Sequence, residues 1–171
     1  MGIIISRSRL RIFGFGTVLA VLFAMWFFQP DRTLERTWNG LIGAVEARHA
    51  GAMRGYLAEV YSDRWGYDRE TLAADARLAF QHFTELDIRP ANIRIERDGD
   101  IAKISAMLRL EAAGTIQALD ARMRVNALTA PFTTRWRQRP GLLGGWEMTS
   151  LDHPELDLRS FRRHTLPILA P

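Results

Sequence analysis

The sequence predicts an α+β protein in which an N-terminal transmembrane helix precedes three helices packed on a curved antiparallel sheet. An uncharged apolar run extends from Ile12 to Phe28 behind a cluster of arginines. Apolar residues then recur at helical spacing as far as Phe83, and beyond Pro90 they alternate with polar residues as in strands. With 171 residues, the chain has room for one domain besides the anchor. We divide it into three parts, which are the basic N-terminus and anchor (1–30), the domain (31–155) and a tail (156–171).

The anchor is predicted from the 17 uncharged residues between Ile12 and Phe28. As a helix they would rise about 25 Å, close to the thickness of the hydrocarbon core. The alternative is a cleaved signal peptide, whose apolar stretch ends in small residues. This run ends in Trp26, Phe27 and Phe28. Since aromatic residues suit the membrane interface, the sequence favours an uncleaved anchor.

The charges around the anchor predict its orientation. Arg7, Arg9 and Arg11 precede it with no acidic residue among them, whereas acidic and basic residues are mixed after it. Positive charge favours the cytoplasmic side. We therefore expect a single-pass protein of a bacterial inner membrane, with its N-terminus in the cytoplasm and its domain in the periplasm.

Composition excludes two classes of function. The chain has no cysteine, so it forms no disulfide, thiolate metal site or cysteine nucleophile. Its net charge of +4 arises mainly from the N-terminal arginines and from those of the tail. The domain itself is nearly neutral, whereas a nucleic-acid partner requires a concentrated basic surface. We expect no nucleic-acid partner.

Three amphipathic helices are predicted from apolar stripes between Leu34 and Phe83. The third begins near Asp68 and is expected to end before Arg89-Pro90, because a residue before proline disfavours helix. The three stripes are Leu34, Trp38, Leu41, Ile42 and Val45; Met53, Leu57, Val60 and Tyr61; and Leu72, Ala76, Ala79, Phe80 and Phe83.

The strands are predicted from a change to period two. Asp98-Gly99 is a strong signal for a hairpin turn, which would place Ile95 opposite Ala102 and Ile93 opposite Ile104. A third strand is predicted from the alternation between Leu119 and Ala127. An apolar phase change at Pro131 indicates either a bend in this strand or a break into two strands. The last strand is expected from Trp146 to Leu151.

This layout resembles the nuclear transport factor 2-like (SnoaL-like) superfamily, in which helices pack on a bent antiparallel sheet to form a cone. The likeness is carried by the helices from Leu34 to Phe83, the aromatic turn Tyr61 to Tyr67 and the later strands ending in 144–148, and it covers Thr33 to His153. A cone domain tethered to the membrane also resembles an assembly subunit of type IV secretion machines. The resemblance implies homodimerisation through the open sheet face, here the polar face of strands two and three.

The resemblance implies either of two functions. Enzymes of the superfamily place an acid/base residue inside the cone, but the strand face predicted to lie against the helices is wholly apolar. This favours a non-enzymatic, membrane-anchored periplasmic module that binds an envelope protein or a small apolar ligand, or that supports assembly. The alternative is a small hydrolase, dehydratase or isomerase that uses a cavity aspartate.

Candidate site residues follow from both readings. For the enzyme they are Asp63, which alternatively satisfies backbone amides, and Asp120 with Arg122, which alternatively form a solvated strand face. The four histidines lack the spacing of metal ligands, so we expect neither a metal nor a cofactor. Five residues are candidates for lining a ligand pocket, namely Tyr56, Tyr61, Trp65, Met123 and Trp136.

Overall fold

The computed structural model describes residues 30–141 and 144–156. The chain divides into two compact units, Met1–Arg36 and Thr37–Pro171. Both the predicted anchor, Ile12 to Phe28, and the tail beyond residue 156 lie outside the described residues. Within the described ranges, no helix is long and apolar enough to cross a membrane.

The described elements form an α+β arrangement, in which three helices precede two strands, a fourth helix and two further strands. All the strands belong to one antiparallel sheet with the order β1-β2-β3-β4, so each strand pairs with its neighbour in the sequence. The helices are α1 (Pro30–Glu46), α2 (Ala50–Gly55), α3 (Arg69–Phe80) and α4 (Ile116–Ala127), and the strands are β1 (Phe83–Asp98), β2 (Ile101–Gly114), β3 (Phe132–Gln138) and β4 (Trp146–Asp152).

The first and third predicted helices are confirmed. Trp38 and Leu41 of α1 are buried, as their spacing predicts. Helix α3 begins directly after Asp68, whose carboxylate accepts a hydrogen bond from the Thr71 amide at 2.8 Å. The Thr71 hydroxyl accepts one from the Asp68 amide at 3.0 Å. This reciprocal capping box satisfies two amides that would otherwise lack partners at the helix start.

The second predicted helix is too long. Helix α2 ends at Gly55, although Leu57 and Tyr61 are buried as expected. The segment after α2 instead pairs with β4, where the Ala58 amide donates to the Met148 carbonyl at 2.9 Å. Glycine favours the end of a helix, and the free edge of β4 offers these backbone groups an alternative partner.

The predicted end of the third helix is also wrong. Helix α3 ends at Phe80, and β1 runs from Phe83 straight through Pro90. Proline is compatible with this strand because β1 lies at an edge of the sheet, where a missing N–H need not break a ladder.

The β1–β2 hairpin is confirmed, but its turn is displaced by one residue. Asp98 pairs with Ile101, so Gly99 and Asp100 form the turn, and Ile95 faces Ile104. Gly99 has φ 56°, which a primed hairpin turn requires at this position. The sequence predicts Ala102 as the partner of Ile95, two residues from the observed partner Ile104. Because side chains alternate with period two, this error still placed the apolar residues on one face.

The predicted third strand is wrong, because residues 116–127 form α4. The alternation from Leu119 to Ala127 fits a strand, yet the segment is rich in Ala, Arg, Leu and Met, which favour helix. An ion pair of 2.7 Å between Asp120 and Arg124, four residues apart, supports the helix. The dimer face implied by the resemblance used the polar face of predicted strands two and three. Because the third of these strands is a helix, that face cannot form as predicted.

The core lies between one face of the sheet and the helices of the second unit. Ala102, Ile104 and Ala106 of β2 are almost fully buried, as their alternation predicts. Trp38 and Trp136 pack edge to face with their ring centroids 6.3 Å apart. These aromatic rings fill the space that would otherwise open between α1 and β3.

Candidate functional site

Asp63 organises the aromatic turn between α2 and α3. One carboxylate oxygen accepts hydrogen bonds from the amides of Trp65 at 3.0 Å and Tyr67 at 2.9 Å. The other accepts from the Tyr61 hydroxyl at 3.1 Å. Burial, followed by the charge of Asp63, raises the pKa of Tyr61, so the hydroxyl keeps its proton and acts as donor. Both oxygens of Asp63 are therefore committed to the turn.

The candidate pocket residues do not meet in one place. Tyr61 and Trp65 are buried in the aromatic turn. Trp136 is fully buried in the core, and its indole nitrogen donates to the Thr134 hydroxyl at 2.8 Å. Tyr56 is half-buried. Met123 lies on α4 with 60% of its surface exposed, so it cannot share a pocket with the core residues.

Asp120 and Arg122 lie on the surface of α4 rather than on a strand facing the core. The Asp120 carboxylate accepts a hydrogen bond from Arg124 Nε at 2.7 Å. The Arg122 guanidinium donates to the Ala112 carbonyl at 3.5 Å, which is a long hydrogen bond to β2. Asp120 thus forms a contact within α4, and Arg122 joins α4 to β2. The two side chains do not converge on a common reactive centre.

His153 is a buried residue that the sequence did not single out. Its Nε2 lies 2.9 Å from the Ala130 carbonyl, and its Nδ1 accepts from the Glu155 amide at 3.1 Å. These two bonds fit the neutral ring with its proton on Nε2. Its ring also packs on Phe132 with centroids 4.5 Å apart. His153 thus ties the end of the sheet to the loop after α4.

A pocket of about 420 Å³ lies beside the β3–β4 hairpin. Its size falls within the range of small-molecule sites. Charged residues dominate its lining, in contrast with the aromatic core. The lining residues are Gly55, Leu57, Glu59, Val60, Arg69, Arg137, Arg139 and Glu147.

Glu147 is the centre of an ion-pair network in this pocket. Arg137 contacts it at 2.6 Å and Arg139 at 3.1 Å. The Glu147 side chain is only 12% exposed, whereas both arginines are about half exposed. Burial alone would raise the pKa of Glu147, but the hydrogen bonds from the two arginines hold that pKa below its ordinary value.

One feature of the sequence indicates this pocket. Arg137 and Glu147 are direct cross-strand partners on β3 and β4, and opposite charges often occupy such positions. Arg69 and Val60 lie far away in the sequence, and only the pairing of the segment after α2 with β4 brings them close. Among the described residues, no cluster of histidine and acidic side chains could hold a metal ion.

No protein-family model matches the chain, and no curated protein matches it. Solved structures do match. Bd1075 of Bdellovibrio bacteriovorus aligns with a TM-score of 0.54 at 10% identity, covering 71% of this chain and 40% of Bd1075. The chain therefore spans less than half the length of that protein.

Two shorter neighbours align over most of their length. A proposed dehydratase of the NTF2-like family from Streptomyces avermitilis has 14% identity and a TM-score of 0.51, covering 72% of this chain and 95% of that one. A proposed aromatic ring hydroxylase from Novosphingobium aromaticivorans has 13% identity and a TM-score of 0.53, covering 75% and 91%. At such identities the likeness shows the fold alone, which is the NTF2-like fold.

Proposed function

We propose that this protein is a non-catalytic binding module with an NTF2-like domain, held at a bacterial inner membrane by its N-terminal segment with the domain in the periplasm. The single observation that carries the non-catalytic part is the state of Asp63. Its two oxygens accept three hydrogen bonds from the turn that contains it. These bonds take three of the roughly four lone-pair sites of the carboxylate, which leaves it little capacity to act as a general base.

The packing of the core supports the same proposal. Trp38 and Trp136 are buried and pack edge to face in the core of the domain. Thr134 and His153 are buried polar residues with hydrogen-bond partners. Among the described residues, the buried indole N–H of Trp38 has no such partner. This aromatic packing supports the surface of the domain as the place for binding.

The competing function is a hydrolase, dehydratase or isomerase that uses Asp63. The test is to assay the full chain in lipid nanodiscs against an epoxide, an ester, a β-hydroxy ketone and a β,γ-unsaturated ketone. We expect no turnover above the protein-free rate for either the wild type or the Asp63→Asn variant. Turnover that is lost in a folded Asp63→Asn variant would overturn the proposal.

A further inference from the structure

The charged pocket lies on the face of the sheet opposite the aromatic core. Side chains alternate along a strand, so Arg137 and Glu147 point away from the buried Trp136 and Trp146. Segment 56–62 pairs with the outer edge of β4 through the Leu57–Met148 bridge and extends this face. The pocket is therefore separate from the interior of the cone and opens to solvent.

The formal charges in the pocket leave one positive charge in excess. Three arginines and two glutamates line it. Glu147 is shared by Arg137 and Arg139. Arg69 donates from Nε to the Arg54 carbonyl at 3.3 Å. Within the described ranges it forms no direct ion pair, although its charge contributes to lowering the pKa of the adjacent Glu70. Its guanidinium presents further N–H donors to the pocket.

The arginines are held in position before any ligand arrives. Arg139 donates from Nη2 to the Gly55 carbonyl at 2.9 Å and from Nε to Glu147 at 3.1 Å. Guanidinium groups fixed in this way lose little further side-chain entropy on binding. Glu147 acts here as a positioning residue, because it orients Arg137 and Arg139 without filling the pocket.

One wall of the pocket is apolar. Val60 leaves 65% of its surface exposed, although it is a branched aliphatic residue. Leu57 also belongs to the lining and is buried. An aliphatic group placed against Val60 would remove that surface from water, which is favourable. The pocket therefore combines a cationic side with a small hydrophobic side.

We propose that this pocket binds the carboxylate group of a small aliphatic acid, with Arg69 contacting the carboxylate and Val60 contacting the alkyl chain. This rests on the proposed function as a binding module and assigns its ligand class. A single negative charge matches the excess charge of the lining. A phosphate dianion would bring a second negative charge into the pocket. That charge would be repelled by the carboxylates of Glu59 and Glu147.

The test is isothermal titration calorimetry on the full chain in lipid nanodiscs, with hexanoate as the probe. Hexanamide, which has the same shape without the charge, and inorganic phosphate are titrated separately. We expect hexanoate to bind more tightly than both. We also expect Arg69→Gln to weaken hexanoate binding by about tenfold or more, the usual scale for losing a charged hydrogen bond.

The matched control is Arg77→Gln, an exposed arginine on the same helix, two turns from Arg69. This variant should bind hexanoate like the wild type. Val60→Glu, which places a carboxylate in the pocket, should abolish binding and provides a second variant if Arg69→Gln is unstable. The proposal is overturned if hexanoate does not bind, if phosphate binds more tightly, or if both pocket variants bind hexanoate normally.

These outcomes are separable from failure of the proposed function. Loss of hexanoate binding would remove the assigned ligand class and leave the absence of turnover intact. Turnover dependent on Asp63 would contradict the non-catalytic proposal even if Arg69 still bound carboxylates, because the two residues belong to different sites.

Discussion

At the scale of single residues, Asp63 shows how a carboxylate can organise a turn through its hydrogen bonds. It replaces water as the hydrogen-bond acceptor for two amides of the aromatic turn. Removing it leaves these donors, and the hydroxyl of the buried Tyr61, without this partner. Donors that lose a partner in a buried setting destabilise the fold.

Asp63→Ala is expected to lower the free energy of unfolding by about 1–3 kcal/mol. Asp63→Asn should cost less, because its amide oxygen can still accept one or two of the bonds. Urea unfolding followed by tryptophan fluorescence measures both values, since Trp65 lies in the affected turn. A variant that unfolds like the wild type would show that the turn does not depend on Asp63.

Glu147 links stability to pH. Its pKa in the folded state lies below the ordinary value of 4.5. A carboxyl group of this kind stabilises the fold fully above that value, and the contribution is lost as the pH falls through the folded-state pKa. Protonation removes the charge that Arg137 and Arg139 share.

We expect the free energy of unfolding of the wild type to fall more steeply below pH 4.5 than that of Glu147→Gln. At neutral pH the variant should be less stable, and the gap should narrow on acidification. Urea unfolding across a pH series measures this gap. A gap that stays constant with pH would show that the ion-pair network contributes nothing.

At the scale of elements, side chains protect both free edges of the long β1–β2 hairpin at the same level. Ile88 and Leu110 face each other across the two strands. The Ile88 amide donates to the Glu46 carboxylate at 2.9 Å. On the other side, Asn126 of α4 accepts from the Leu110 amide at 2.8 Å and donates to its carbonyl at 2.9 Å. Asn126 thus reproduces the hydrogen bonds of a neighbouring strand.

Asn126→Ala is expected to speed hydrogen exchange of the Leu110 amide, because its acceptor is removed. The control is Gln117→Ala, an exposed position on the same helix, which should leave this amide unchanged. Exchange measured by NMR at the single-residue level distinguishes the two variants. Equal exchange in both would mean that α4 does not protect this edge.

The elements also show how far the sequence determines the fold. Helices α1 and α3, the β1–β2 hairpin and β4 follow from periodicity and capping, because one face of each is buried. Helix α4 does not, since its buried residue is Ala118, while Ile116 and Met123 are exposed. A helix that buries so little carries a weak periodic signal, and residue propensity is then the better guide.

The candidate site was less predictable than the fold. The structural role of Asp63 is predictable, because an aspartate in a Gly-containing turn is a recognisable local pattern. The charged pocket joins residues from α3, the segment after α2 and the β3–β4 hairpin. Only the pairing of distant segments creates it, and no local pattern in the sequence reports such pairing.

At the scale of the whole molecule, membrane attachment is a prediction that depends on residues 12–28. We expect the full chain in bacterial cells to sediment with membranes and to resist extraction by alkaline carbonate. Protease added to spheroplasts should digest the domain, because the arginines before the anchor favour a cytoplasmic N-terminus. Replacing Leu19, Val21 and Leu22 by arginine should release the protein from membranes. A protected domain in intact spheroplasts would contradict the predicted orientation.

The order of the strands has a consequence for how this domain folds. Each strand pairs with its sequence neighbour. The β1–β2 and β3–β4 hairpins close short loops, which is fast and costs little entropy, whereas β2 and β3 pair across α4. The pairing of Ala58 with Met148 is different, because it joins segments separated by most of the domain. We infer that this docking is among the last steps of refolding. The charged pocket, which needs that docking, is therefore completed late, after the sheet that supports it.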